Sequence, residues 1–123
     1  MVDAPHVKDA KHDHVLRQLE QVLRQRKGED PNDSYVASLY QKGLNKILEK
    51  VGEEAVEAVL AAKDFENDRS NALEQALVGE AADLWFHSLV MLAHLDIPLS
   101  RVLETLKGRF GLSGLTEKAQ RHD

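Results

Sequence analysis

Apolar residues recur along this chain at helical spacing almost without a break. Val15, Leu16, Leu19, Val22 and Leu23 fall at i, i+1, i+4, i+7 and i+8, one stripe of an amphipathic helix, with Arg17, Glu20, Gln21 and Arg24 on its other side. Asp13 is placed to cap that helix and Gly28 to stop it. A turn-rich connector with Pro31, Asn32 and Asp33 leads to Ser34, a candidate cap for a short helix that carries Tyr35, Leu39 and Tyr40 up to Gly43. From Leu44 to Ala62 the pattern is clearest. Leu44, Leu48, Val51, Ala55, Ala58, Val59 and Ala62 share one face, Lys42, Lys46, Lys50, Glu53 and Glu57 collect on the opposite arc, and Glu54 falls at the edge between them.

Polar residues from Asp64 to Asn71 read as the next connector. A second long helix is expected over Ala72–Leu95, and its wheel differs from the others. Val78, Leu84, Trp85, Phe86, Leu89, Val90, Met91 and Leu92 point in nearly every direction, so this helix belongs in a core or an interface between copies. Pro98 breaks it, and a last helix runs from Leu99 to Phe110, with Ser100 as its candidate cap and Gly111 as its end. No strand alternation, internal repeat or low-complexity tract appears. The expected fold is all-α, a bundle of about four principal helices plus a short one in a single domain over 1–123, with residues 1–12 and 112–123 as flexible ends.

Composition narrows this picture by exclusion. The chain has 123 residues, no cysteine and a formal net charge of −5. There is no disulfide framework and no thiolate metal site. An acidic chain is a poor general binder of nucleic acid. No apolar run long enough to span a bilayer is expected, and the start lacks the apolar core of a signal peptide, so the expected setting is the cytoplasm.

The candidate chemistry lies in two acidic groups. Glu53, Glu54 and Glu57 fall within the first long helix, and Glu80 and Asp83 within the second. Carboxylates three residues apart stand side by side on a helix. On the first helix they are also explained as a solvated face paired with Lys46 and Lys50. On the second the surroundings are too apolar for that, and the helix contains neither Lys nor Arg. An unpaired carboxylate in such a place is costly or becomes protonated. A shared cation resolves both problems, and an all-oxygen donor set suits Mg²⁺, or Mn²⁺ in its place. His87 shares the arc of Glu80 and Asp83 and reads as a satisfied core residue sooner than a ligand. Trp85 and Phe86 read as packing, and His6, His12 and His14 as a chance cluster.

The paired motifs resemble the MazG-type all-α nucleotide pyrophosphohydrolases. Within them, the chain from Leu16 to Phe110 is similar to the phosphoribosyl-ATP pyrophosphohydrolase family. The specific parts are the entry Asp30, Pro31, Ser34 and Tyr35, the block from Lys50 to Glu57, and the block from Glu80 to Val90. Val36 and Glu49 depart from the family's usual residues, outside the acidic set. The resemblance implies Mg²⁺-dependent hydrolysis of the α–β phosphoanhydride of phosphoribosyl-ATP. It implies Glu54, Glu57, Glu80 and Asp83 as metal ligands, Glu53 as a further ligand or general base, and Lys46, Lys50 and, less directly, Lys42 on substrate phosphates. It also implies a homodimer or higher homo-oligomer. Two other readings compete: a house-cleaning enzyme acting on free or damaged nucleoside triphosphates, and a non-catalytic helical dimerisation module.

Overall fold

The computed structural model describes residue 12 and residues 14–110, and among them there are five α-helices and no strand. Helix α1 spans Val15–Gln25 and tightens into a 3₁₀ turn over Arg26–Gly28. Helix α2 is Tyr35–Lys42, α3 Leu44–Asn67, α4 Asn71–His94 and α5 Leu99–Phe110. The expected cap Asp13, the stop Gly111, His6 and the two expected flexible ends lie outside the described residues, apart from residue 12.

The helix boundaries follow local chemistry. Asp30 accepts a hydrogen bond from the Asn32 amide at 2.9 Å, closing the turn before α2. Ser34 Oγ then accepts from the Ala37 amide at 3.1 Å, as expected of a cap. Gly43 joins α2 to α3 at φ 97°, a conformation strained for any residue with a Cβ. Helix α3 continues to Asn67, beyond the expected end at Ala62. Lys63 bonds Glu66 at 2.7 Å across that extra turn, and the Arg69 guanidinium covers the Phe65 ring at 4.9 Å. Ser70 caps α4 by accepting from the Leu73 amide at 3.2 Å.

Helix α5 departs from the expected cap. It begins at Leu99, which places Ser100 inside the first turn. The Leu99 amide donates to Glu20 Oε2 on α1 at 2.7 Å, so a carboxylate from a distant helix does the capping.

The core comprises Leu23, Val36, Leu39, Ile47, Leu89, Val90, Ala93 and Leu99. It therefore draws on the start of α3 and the end of α4. Between them, the rest of this long antiparallel hairpin contributes no buried apolar residue. Around the core, Tyr40 donates its hydroxyl to the Leu23 carbonyl at 2.8 Å and stacks on His94. Burial raises the Tyr40 pKa, and nearby Arg24 opposes that shift. Lys27 lies over the Tyr40 ring and pairs with Asp96 at 2.9 Å, tying the 3₁₀ turn to the end of α4.

Helix α3 keeps only part of its expected inner face. Leu48 and Val59, placed on the inner face by the wheel, are exposed, and the buried residues are Ile47 and Glu54. Glu54 sits well inside, with 6% of its surface exposed, and not at an edge. The inner side of α3 thus holds Glu54 together with Leu44, Val51, Ala55 and Ala58, which are partly buried, and Leu48, Val59 and Ala62 are left outside. Trp85 is likewise exposed, whereas Phe86 packs against the core as expected. By length and composition α4 could cross a bilayer, contrary to expectation. Its C-terminal half nevertheless builds the core, and it carries Glu80 and Asp83.

Candidate functional site

Because α3 and α4 run antiparallel, their polar residues meet in successive layers. Glu57 meets Glu80, and one turn along lie Glu54 and Asp83. A further turn along lie Lys50 and His87, and Tyr35 from α2 closes the series through its bond to His87. Carboxylate oxygens of Glu54, Glu57 and Glu80 come within 4.8 Å of one another, and this is the group among the described residues suited to a metal ion. Two of its oxygens, Oε1 of Glu54 and Oε1 of Glu80, are buried and make no hydrogen bond. A native protein seldom leaves such atoms unpaired without a ligand to complete them.

The electrostatics agree with a site short of positive charge. The Glu80 pKa is raised above the ordinary carboxylate value, by burial first, then by its hydrogen bond to Glu57 and the charges of Glu57, Glu54 and Asp83. The cation nearest the cluster is Lys50, whose Nζ lies 3.3 Å from Glu53 and 3.9 Å from Glu54. The bond to Glu53 raises the Lys50 pKa; burial opposes this, and Tyr35 and Glu54 add to the rise.

The other expected site residues fall around this centre. The Asp83 side chain is exposed and stands outside the three-carboxylate group, although its charge is felt at Glu80. Glu53 is half exposed at the rim. Lys46 is engaged with Glu49 at 2.8 Å on the exposed face. Lys42 closes α2, exposed and outside every ion pair among the described residues.

His87 is a satisfied, buried residue, as expected. Its Nδ1–H donates to the Asp83 carbonyl at 3.0 Å, which leaves Nε2 to accept from the Tyr35 hydroxyl at 2.9 Å. Tyr35 is the site neighbour that sequence reasoning missed. Its contact spans 52 positions, and the entry motif that includes Ser34 and Tyr35 marked it in the chain without giving it a role.

Comparison with known proteins agrees with this geometry. The family model described as Phosphoribosyl-ATP pyrophosphohydrolase matches residues 16–110. A curated relative named Phosphoribosyl-ATP pyrophosphatase, from Hydrogenovibrio crunogenus (strain DSM 25203 / XCL-2), is 54% identical over 107 residues. That match covers 87% of this chain and 92% of the relative. With that match and an all-α hairpin bearing the acidic pairs, the chain belongs to the phosphoribosyl-ATP pyrophosphohydrolase family.

Proposed function

We propose that this protein hydrolyses the α–β phosphoanhydride of phosphoribosyl-ATP to phosphoribosyl-AMP and pyrophosphate, the second step of histidine biosynthesis, as a cytoplasmic enzyme. The observation that carries the site is the pair of buried, unpartnered oxygens on Glu54 and Glu80 inside a three-carboxylate cluster. This donor set fits Mg²⁺, with Mn²⁺ as a substitute: it is all oxygen, densely anionic and partly withdrawn from water. Glu54, Glu57 and Glu80 would hold the ion, with Asp83 on the rim as the fourth carboxylate of the family motif. Bound there, it would neutralise the polyphosphate and stabilise the charge that develops as the anhydride breaks.

The chain's own residues do the rest. Glu53 stands beside the cluster and is exposed enough to meet water, so it serves as the general base that takes the proton of the attacking water. Lys50, whose ammonium group lies beside Glu53 and Glu54, donates to phosphate oxygens. Lys46 reaches the same anion by exchanging its surface bond to Glu49, and Lys42 adds positive charge at the end of α2. The working form is a homodimer or higher homo-oligomer, supported by the apolar side chains exposed on both helices of the hairpin.

The test is pyrophosphate release from phosphoribosyl-ATP, with Mg²⁺ and with chelator, beside ATP and dUTP. Metal-dependent release from phosphoribosyl-ATP alone is expected. Glu57→Gln should lower it by at least on the order of a hundredfold. Equal turnover of all three nucleotides would move the protein to a house-cleaning role, and no release from any would leave a non-catalytic helical module.

A further inference from the structure

Tyr35 is arranged opposite to an ordinary packing tyrosine. A core tyrosine buries its ring and leads its hydroxyl toward water. Here the residue is 52% exposed, and it is the hydroxyl that points inward, to a histidine only 6% exposed. The imidazole is itself fixed, by its bond to the Asp83 carbonyl and by edge-on contact with Phe86 at 5.2 Å between ring centroids. The two rings of the Tyr35–His87 pair stand edge to face, 6.0 Å apart at 89°. The backbone beneath is held too: Ser38 donates its hydroxyl to the Tyr35 carbonyl at 2.6 Å, and Ser34 caps the helix that Tyr35 opens. A phenol ring is thus secured at its tip and its base while its surface faces water.

Its position gives that surface a use. Lys50 ion-pairs with Glu54 at 3.9 Å at the edge of the carboxylate cluster. Tyr35 bonds His87, which lies one turn along α4 from Asp83 and two from Glu80, so it stands a turn or two beyond the carboxylate cluster along the hairpin. At about 5.4 Å per turn, that offset suits a nucleoside joined to a polyphosphate. An exposed aromatic face next to an anion site binds bases by stacking.

We propose that Tyr35 is a substrate-binding residue, whose ring, pinned by His87, stacks against the purine of a nucleotide whose phosphates lie at Glu54, Glu57 and Glu80. The inference rests on the placement of the phosphates given above. It assigns Tyr35 to recognition of the base, with no part in breaking the anhydride.

Steady-state kinetics on the full chain test it, with inorganic tripolyphosphate as an inhibitor that has no base. Tyr35→Leu should raise KM for phosphoribosyl-ATP by about tenfold with kcat little changed. Inhibition by tripolyphosphate should stay as in the unmutated enzyme. Tyr35→Phe keeps the ring and loses the pin, so its KM should rise far less. Should leucine disturb the fold, the unmutated protein answers by NMR: the Tyr35 ring resonances should shift on adding the nucleotide substrate or its product, and not on adding tripolyphosphate. An unchanged KM in Tyr35→Leu, or ring resonances that ignore the nucleotide, overturns the inference even where Glu57→Gln is inactive. Tripolyphosphate inhibition weakened as much as KM overturns it too, since Tyr35 would then be supporting the phosphate site. A Glu57→Gln enzyme as active as the unmutated one removes the site reading beneath it, and the inference falls with that reading.

Discussion

Glu80 has a pKa raised in a way that its place in the sequence would not suggest. Burial raises its pKa first, Glu57 adds a hydrogen bond and a charge, and Glu54 and Asp83 repel its ionised form further. An acid whose pKa rises on folding stabilises the fold below its unfolded value, and that contribution is lost as pH climbs through the folded value. In chelator, the melting temperature should therefore fall as pH rises from about 4, the ordinary range of a glutamate. Glu80→Gln keeps a donor for Glu57 and carries no charge at any pH, so its melting temperature should lack that slope and exceed the parent's at neutral pH. Thermal melts across pH in chelator read both effects. A parent with a flat profile, or a glutamine variant that is less stable at neutral pH, would sink the account. With Mg²⁺ present the order should reverse, because the ion takes over the neutralising role and the amide binds it poorly.

The helices show which parts of this fold could be read from the chain and which could not. Short-range chemistry was legible: Ser34 caps α2 with a partner three residues away, and the acidic pairs announced themselves by their spacing. The wheel of α3 misled because it treats carboxylates as outward by default. Here Glu54 turns inward to meet Glu80, and Leu48, Val59 and Ala62 are left outside while Leu44, Val51, Ala55 and Ala58 stay partly buried. Asp83 shows the converse, since its spacing from Glu80 is right but its side chain stays outside the cluster. Contacts across the fold left no local signal. Tyr35 finds His87 at a separation of 52, and Glu20 finds the Leu99 amide at a separation of 79. The second of these is testable at the scale of one helix. Glu20→Ala removes the acceptor at the start of α5 and the 3.5 Å ion pair with Arg24. The loss should cost about 1–2 kcal/mol of stability. Hydrogen exchange should quicken mainly in α5, whereas Ser100→Ala should change little. A uniform loss of protection in all five helices would mean that Glu20 supports the core and not the cap.

Taken whole, the molecule keeps its core at one end and leaves an apolar surface at the other. On α3, Leu48, Val56, Val59 and Leu60 are 43 to 61% exposed, on the side of the helix away from α4. On α4, Val78 and Trp85 are 62% and 61% exposed, on the side away from α3. Each helix of the hairpin thus presents water with a stripe that its partner cannot cover. A chain of this size gains too little from its own core to carry such surface without cost, and apolar patches of this kind mark contact sites between proteins. The same reasoning accounts for an α4 that is apolar nearly all round: one side faces α3 and the core, and the other is open to the second copy proposed above. Trp85→Glu and Val59→Glu place a charge in either stripe without touching the buried core, so the helices should survive. Sedimentation should give at least a dimer for the unmutated protein and a smaller assembly for the variants, with helical circular dichroism retained in both. The melting temperature of the unmutated protein should rise with concentration, as mass action requires, and that of the variants should not. An unmutated protein that sediments as one chain at every concentration would leave both stripes without a partner and refute the assembly.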